Sequence, residues 1–281
     1  MQKSMTSKRI ERPGSGALAS ALRDTLALLL LTAAVWLLHV YGRTLPTAAL
    51  GALWTAMTIV VTAGLFRRAR IRRGAFLAAY VNPASPLARL LRGGWIMATW
   101  WLVVAAAASL VLMVALIRLD DREDWAVLVA SAPLLVLVHG VVRRFLATHV
   151  EAAYLPEPAW RVTWSIVGFA MFAALVTLAF YRSYPDLEGV SLERAVWYFV
   201  NAEHARSLEA QFLLQAAAAK DALRLWLAQQ LMPRPGASPV QALGWGLVLA
   251  EQAVFVWSYL LLGSGVLLGF RTYDPSDARQ P

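Results

Sequence analysis

The segment Gly94–Ile117, GWIMATWWLVVAAAASLVLMVALI, contains no charged residue. A bilayer has a hydrocarbon core about 30 Å thick, and a helix of about 20 apolar residues crosses it. Inside that core every backbone N–H and C=O must find its partner within the segment, so a long apolar run reads as a helix. Strands of a membrane barrel would alternate apolar and polar positions over about ten residues, and this run does not alternate.

Five further runs share the pattern. The expected spans on either side are Leu22–Tyr41, Pro46–Phe66, Trp125–Val142, Arg161–Tyr181 and Gln241–Phe270. The expected fold is therefore an all-α, polytopic transmembrane helical bundle of about six spans. Composition agrees. The chain is 59% hydrophobic and 15% charged, with a mean hydropathy of +0.56, whereas soluble domains average about 45–50% apolar and about 25% charged residues. Five regions follow: a basic N-terminal segment (1–21), a five-helix membrane region (22–181) containing a loop at 67–93, an amphipathic segment (182–239), a sixth span (240–270) and a tail (271–281).

Lys and Arg set the orientation, because short cytoplasmic loops retain them. Lys3, Lys8, Arg9, Arg12 and Arg23 lie at the N-terminal side, and Arg67, Arg68, Arg70, Arg72, Arg73, Arg89 and Arg92 follow the second span. Arg143, Arg144 and Arg161 lie between the fourth and fifth spans, and Arg271 and Arg279 follow the sixth. The opposite short loops hold Arg43, Arg118 and Arg122, the last two beside Asp120, Asp121, Glu123 and Asp124. Both termini are expected in the cytoplasm. Trp95, Trp160 and Trp164 at one level, and Tyr41, Trp125, Tyr181 and Trp245 at the other, suit the two headgroup belts. Lys3 to Arg12 followed by the run Leu26–Val40 has some features of a signal peptide, with Thr47-Ala48-Ala49 as a passable cleavage site. The charged lead is long and a second apolar run follows at once, so an uncleaved helix is expected. The formal charge of +9, the abundance of Arg over Lys and the richness in Ala point to a bacterial inner membrane. They do not point to nucleic acid, which is not expected as a partner.

Two loops exceed simple connectors. In 67–93, a basic run precedes the apolar stretch Ala75–Val81 and the turn Asn82-Pro83-Ala84-Ser85-Pro86. Leu87, Leu90 and Leu91 then share one helical face and Arg89 and Arg92 another, which is an interfacial pattern. In 182–239, Ser191 is placed to cap a helix with Glu193 in its first turn. Leu208, Phe212, Ala216, Ala219, Leu223, Trp226 and Gln230 recur at near-helical spacing, predicting an apolar stripe. Lys220, Asp221 and Arg224 argue against a span there. One or two amphipathic helices on the outer surface, or dipping into it, are expected.

Few residues offer chemistry. Glu251 is the one carboxylate well inside an expected span, with Gln252 beside it. An intramembrane charge is costly and should face a partner or water. It reads either as a proton or cation site or as an interhelical contact. His39 lies at a comparable depth, and His139 near the opposite end of its span. Arg67, Arg68, Arg70, Arg72, Arg73, Arg89 and Arg92 would face anionic lipid or a partner, beyond their topogenic role. Ala48, Ala52 and Ala56, and likewise Gly265 and Gly269, recur every four residues as helix-packing seams.

No Cys is present, which removes disulfides, iron–sulfur ligation and cysteine nucleophiles. Neither G-x-S-x-G, Walker A nor a zinc spacing occurs. His39 and His139 at opposite faces could not bracket one haem. No enzyme activity, metal or cofactor is expected.

The expected role is a non-catalytic subunit or scaffold of a membrane complex, with membrane or periplasmic proteins as partners. The alternative is a transport permease. The layout resembles the membrane half of ABC-2-type exporters along the whole chain. Those have six spans with both termini inside, a cytoplasmic coupling helix between spans two and three, and short outer helices between spans five and six. Here 67–93 and 192–232 occupy those places, without a shared residue motif. The resemblance implies that Leu87–Arg92 would contact a separate cytoplasmic ATPase.

Overall fold

The computed structural model describes residues 15–80, 95–150, 155–182, 184–187, 189–231 and 239–270. They form eight helices: α1 Ser15–Tyr41, α2 Thr47–Tyr80, α3 Trp95–Ile117, α4 Arg122–Leu146, α5 Pro156–Tyr181, α6 Leu192–Ala202, α7 Leu208–Leu231 and α8 Pro239–Phe270. No strand occurs among the described residues. Six helices (α1 to α5 and α8) are long and apolar enough to cross a membrane. The fold is a six-span helical bundle. One face gathers the start of α1, the end of α2 and the end of α8, and is called here the basic face. The opposite face carries α6 and α7 and is called the capped face.

The helix α2 runs further than its apolar stretch. Its span-like part ends at Ala69, yet the helix continues to Tyr80. Arg67–Arg73 are thus helical, where a loop was expected. Arg, Ala and Leu are strong helix formers, and no Pro lies between Pro46 and Pro83. The stretch Leu87–Arg92 lies outside the described residues.

The central helix is α8. Within its apolar stretch 56% of residues are buried, against 28–39% in the other five spans. It packs on α1, α2, α3, α5 and α7. In lipid, association depends on close van der Waals approach rather than on removing apolar surface from water. The α2–α8 crossing shows how. A Cβ built on Gly64 would lie 3.0 Å from the Cα of Gly265, and one built on Gly265 would overlap the carbonyl of Val60. The backbones meet where neither helix has a side chain. Nearer the middle, the Tyr259 hydroxyl of α8 lies 3.2 Å from Thr32 Oγ1 of α1 and donates to the Leu128 carbonyl of α4 at 3.4 Å. Leu112, Leu116, Leu128, Val167 and Leu267 are fully buried in the bundle.

A cap of two helices lies between the fifth and sixth spans. Ser191 caps α6 by accepting from Arg194 N–H, as its position predicted. Ser207 caps α7 in the same way, accepting from Ala210 N–H at 3.2 Å. The break between them is tied down by Arg206 N–H donating to the Arg43 carbonyl in the α1–α2 turn.

The expected stripe of α7 divides: Ala219, Trp226 and Gln230 are half-buried, and its other members are exposed. Ala210, Leu214, Ala218 and Ala222 are buried against the bundle, while Leu208, Phe212, Ala216 and Leu223 face outward. Both faces of this helix are apolar, so periodicity does not choose between them. The buried face is the one rich in alanine, which lets the helix lie close on the ends of α2, α3 and α8.

Candidate functional site

The charged residues of the capped face converge from seven places in the chain. Arg43 comes from the α1–α2 turn, and Arg118 follows α3. Asp120 and Asp121 precede α4, Asp124 lies in its first turn, and Arg182 follows α5. Glu203 sits between α6 and α7, Lys220, Asp221 and Arg224 line α7, and Glu251 belongs to α8. Arg43, Arg118 and Arg182 lie where spans end, whereas Lys220, Asp221, Arg224 and Glu251 lie inside α7 and α8, and the ion pairs below bring them together.

Arg118 is the hub. Its Nε donates to Glu203 Oε1 at 2.7 Å and its Nη1 to Asp221. Its side chain is only 18% exposed. Burial alone would pull its pKa down, but the charge of Asp221 and the hydrogen bonds to Glu203 and Asp221 together hold it above the ordinary arginine value. It therefore stays charged at any pH the fold survives. Arg43 adds contacts to Glu203 at 3.5 Å and Asp120 at 3.8 Å. Arg182 clamps the start of α4, with Nε 2.6 Å from Asp121 and Nη2 2.7 Å from Asp124.

Glu251 belongs to this belt. Lys220 and Arg224, one helical turn apart on α7, both donate to its carboxylate. Its side chain is 32% exposed. The residue is held by two cations from the cap, not isolated among apolar helices. Lys220 and Arg224 had argued only against a span; their i, i+4 spacing opposite a lone carboxylate was the signal for this contact. Gln252 is half-buried beside it.

The histidines are well separated. The ring of His39 lies 5.4 Å from that of Trp125 at the start of α4. His139 stacks on Trp160 at 4.0 Å, with Nδ1 3.3 Å from Thr163 Oγ1. From Trp125 to His139 is about 21 Å along α4 at 1.5 Å per residue, so the two rings share no ligand. No group of three or more His, Asp or Glu able to hold a metal occurs among the described residues.

Toward the basic face the arrangement differs. A groove of about 1070 Å³ opens between α3 and α5, with α8 as its floor and the Leu65–Ala69 part of α2 at one end. Trp100, Trp101, Trp160, Trp164 and Trp257 line it, together with Arg68 and Arg161. The Arg68 guanidinium lies 3.8 Å over the Trp164 ring, a cation–π contact. Arg67 is half-buried, and Arg70, Arg72 and Arg73 continue along α2. Arg89 and Arg92 lie outside the described residues. No feature of the sequence reading assembled this groove, because its tryptophans come from three separate helices.

The two small-residue seams part company. Gly265 sits at the α2–α8 crossing, and Gly269 lies one turn further along α8. Ala48, Ala52 and Ala56 are exposed on the outside of α2 among the described residues.

No protein-family model matches this chain, no curated relative matches it, and no solved structure matches its fold.

Proposed function

We propose that the chain is a non-catalytic subunit or scaffold of a membrane complex in a bacterial inner membrane, with its basic face in the cytoplasm and its cap outside. The observation that carries this reading is the cap itself. Ion pairs tie it to the bundle, and its outward side is apolar: Trp197, Leu208 and Phe212 are 68%, 80% and 69% exposed. A fixed platform with an apolar outer side suits docking of another membrane or periplasmic protein. The orientation rests on the Arg-rich segments 67–73 and 143–144.

The test is purification of the full chain in mild detergent, with mass spectrometry of the proteins that come with it. A stoichiometric membrane or periplasmic partner that is lost from Phe212→Asp supports the scaffold. A preparation with no stoichiometric partner sinks it.

The permease reading draws on two helices, α6 and α7, standing between the fifth and sixth spans as in ABC-2-type exporters. It requires a cytoplasmic ATPase in the same preparation, lost when Leu87–Arg92 is substituted.

A further inference from the structure

Beneath the start of α7, the seam between α2 and α3 opens into a slot of about 240 Å³. Thr47, Leu50, Gly51 and Trp54 of α2 line it, at i, i+3, i+4 and i+7. Leu110, Met113, Val114 and Ile117 of α3 line it with the same spacing. Each set is one face of its helix. Seven residues at 1.5 Å each give the slot a length of about 10 Å along both helices. Ala210, Leu213 and Leu214 of α7 line its outward end. At the other end Trp54 reaches across to α3, its indole N–H donating to the Ala106 carbonyl at 3.0 Å.

The slot offers a ligand little but apolar surface. The polar side chains that line it are already engaged within the chain. Thr47 donates to Glu209 at 2.6 Å, Ser207 caps α7 and Trp54 holds Ala106. Water finds no partners in such a space. Apolar cavities of this kind stay dry, and one of about 150 Å³ engineered in another protein takes up benzene or xenon. Left empty, the slot would forfeit dispersion contacts along its whole lining.

Gly51 marks the open side. It is exposed, and a Cβ built on it meets nothing within 4 Å. Ala52, Thr55 and Ile59 of α2 and Val111 of α3 are exposed around it, all within membrane-spanning stretches. The slot is thus continuous with the surface that these two spans present to hydrocarbon. Its length runs along the spans, as lipid chains do.

We propose that this slot binds one acyl chain of a bilayer lipid from the leaflet on the capped side, entering past Gly51 and lying along the α2–α3 seam beneath α7. Recognition is by shape, and the bound chain completes the packing where α7 crosses the two spans.

The test uses the full chain in bilayer discs of phosphatidylcholine carrying a photoreactive diazirine in one acyl chain, with adducts mapped by peptide mass spectrometry. Adducts should concentrate at 50–54 and 110–114. They should exceed those around the exposed Leu37 of α1, at a similar level, by about tenfold, a difference of about 1.4 kcal/mol. Gly51→Leu closes the entrance and should abolish the excess. Ala52→Leu adds the same bulk beside the slot and should keep it. Leu213→Trp fills the slot from α7, and is the second blocking variant should Gly51→Leu fail to fold. Adducts spread evenly over the two surfaces overturn the proposal. So does an excess that survives both blocking variants, or one lost equally in Ala52→Leu. A dimer in native mass spectrometry that Gly51→Leu separates would place a second copy of the chain in the slot, and overturns it as well.

Discussion

The central helix holds its neighbours in two different ways. Toward the basic face α8 meets α2 through Gly265 and Gly64, with backbones almost touching. Toward the capped face it meets α7 through Glu251, Lys220 and Arg224. The surroundings account for the difference. Lipid chains are as apolar as leucine, so burying leucine there contributes little, and only closer packing than lipid allows favours protein over lipid. Removing side chains achieves that. At the boundary with water, charges stay partly hydrated, and opposite charges pair without a full desolvation cost. The same helix thus uses sterics in one half and electrostatics in the other.

The sharpest way to break the comparison is Gly265→Val. Its side chain must displace Val60 of α2, and overpacking of this kind costs about 1–3 kcal/mol or more. Thermal unfolding in mild detergent should show the largest loss of any single change discussed here. An unchanged midpoint would mean that the α2–α8 crossing is not the close contact described. Ala52→Val, on the exposed side of α2, is the matched control and should unfold like the parent.

Arg118→Ala comes next. It strips Glu203 and Asp221 of a shared partner in a mostly buried position, and losses on the order of 2–3 kcal/mol are expected for such groups. Adding Asp221→Ala should recover part of the loss, since it removes one of the stranded charges. Full additivity of the two changes would show that the residues do not act as a pair.

Glu251→Gln should be milder, about 1 kcal/mol or less, and its effect should shrink in high salt, because Glu251 is 32% exposed and Lys220 55%. The variant should accumulate normally in membranes. A variant that fails to accumulate would mark Glu251 as deeply structural. A variant that folds and accumulates but abolishes a proton-coupled flux in vesicles would return it to the transport reading.

The smallest effect concerns Glu209 at the start of α7. Thr47 Oγ1 donates to its carboxylate at 2.6 Å, and this hydrogen bond lowers its pKa below the usual glutamate value. A depressed folded-state pKa adds stability above the ordinary value, and that stability is lost as pH falls through the folded-state pKa. The difference in melting temperature between the parent and Thr47→Val should therefore be present at neutral pH and vanish in acid. A difference that persists unchanged in acid would assign it to packing.

The strap before α6 shows how far local reading went. Ser191 was legible as a cap because the signal lies within a few residues. Gln229 was not, although it accepts from Leu187 N–H at 2.7 Å and donates to the Pro185 carbonyl at 2.9 Å. Those atoms are separated by the whole of α6 and most of α7, and no spacing rule relates them. The same holds for Trp226, whose indole donates to the Val190 carbonyl at 2.8 Å.

Six spans, their helical state and a helical segment before the last of them were readable from the chain. Apolar length is a property of each segment alone, and lipid enforces it without reference to neighbours. Three things needed the assembled bundle: the face of α7 that is buried, the partners of Glu251, and the groove lined by Trp100, Trp164 and Trp257. Each depends on which remote helices come together. In α7 the two faces were nearly equal in apolarity, and only the close fit of Ala210, Ala218 and Ala222 on the helix ends decided between them.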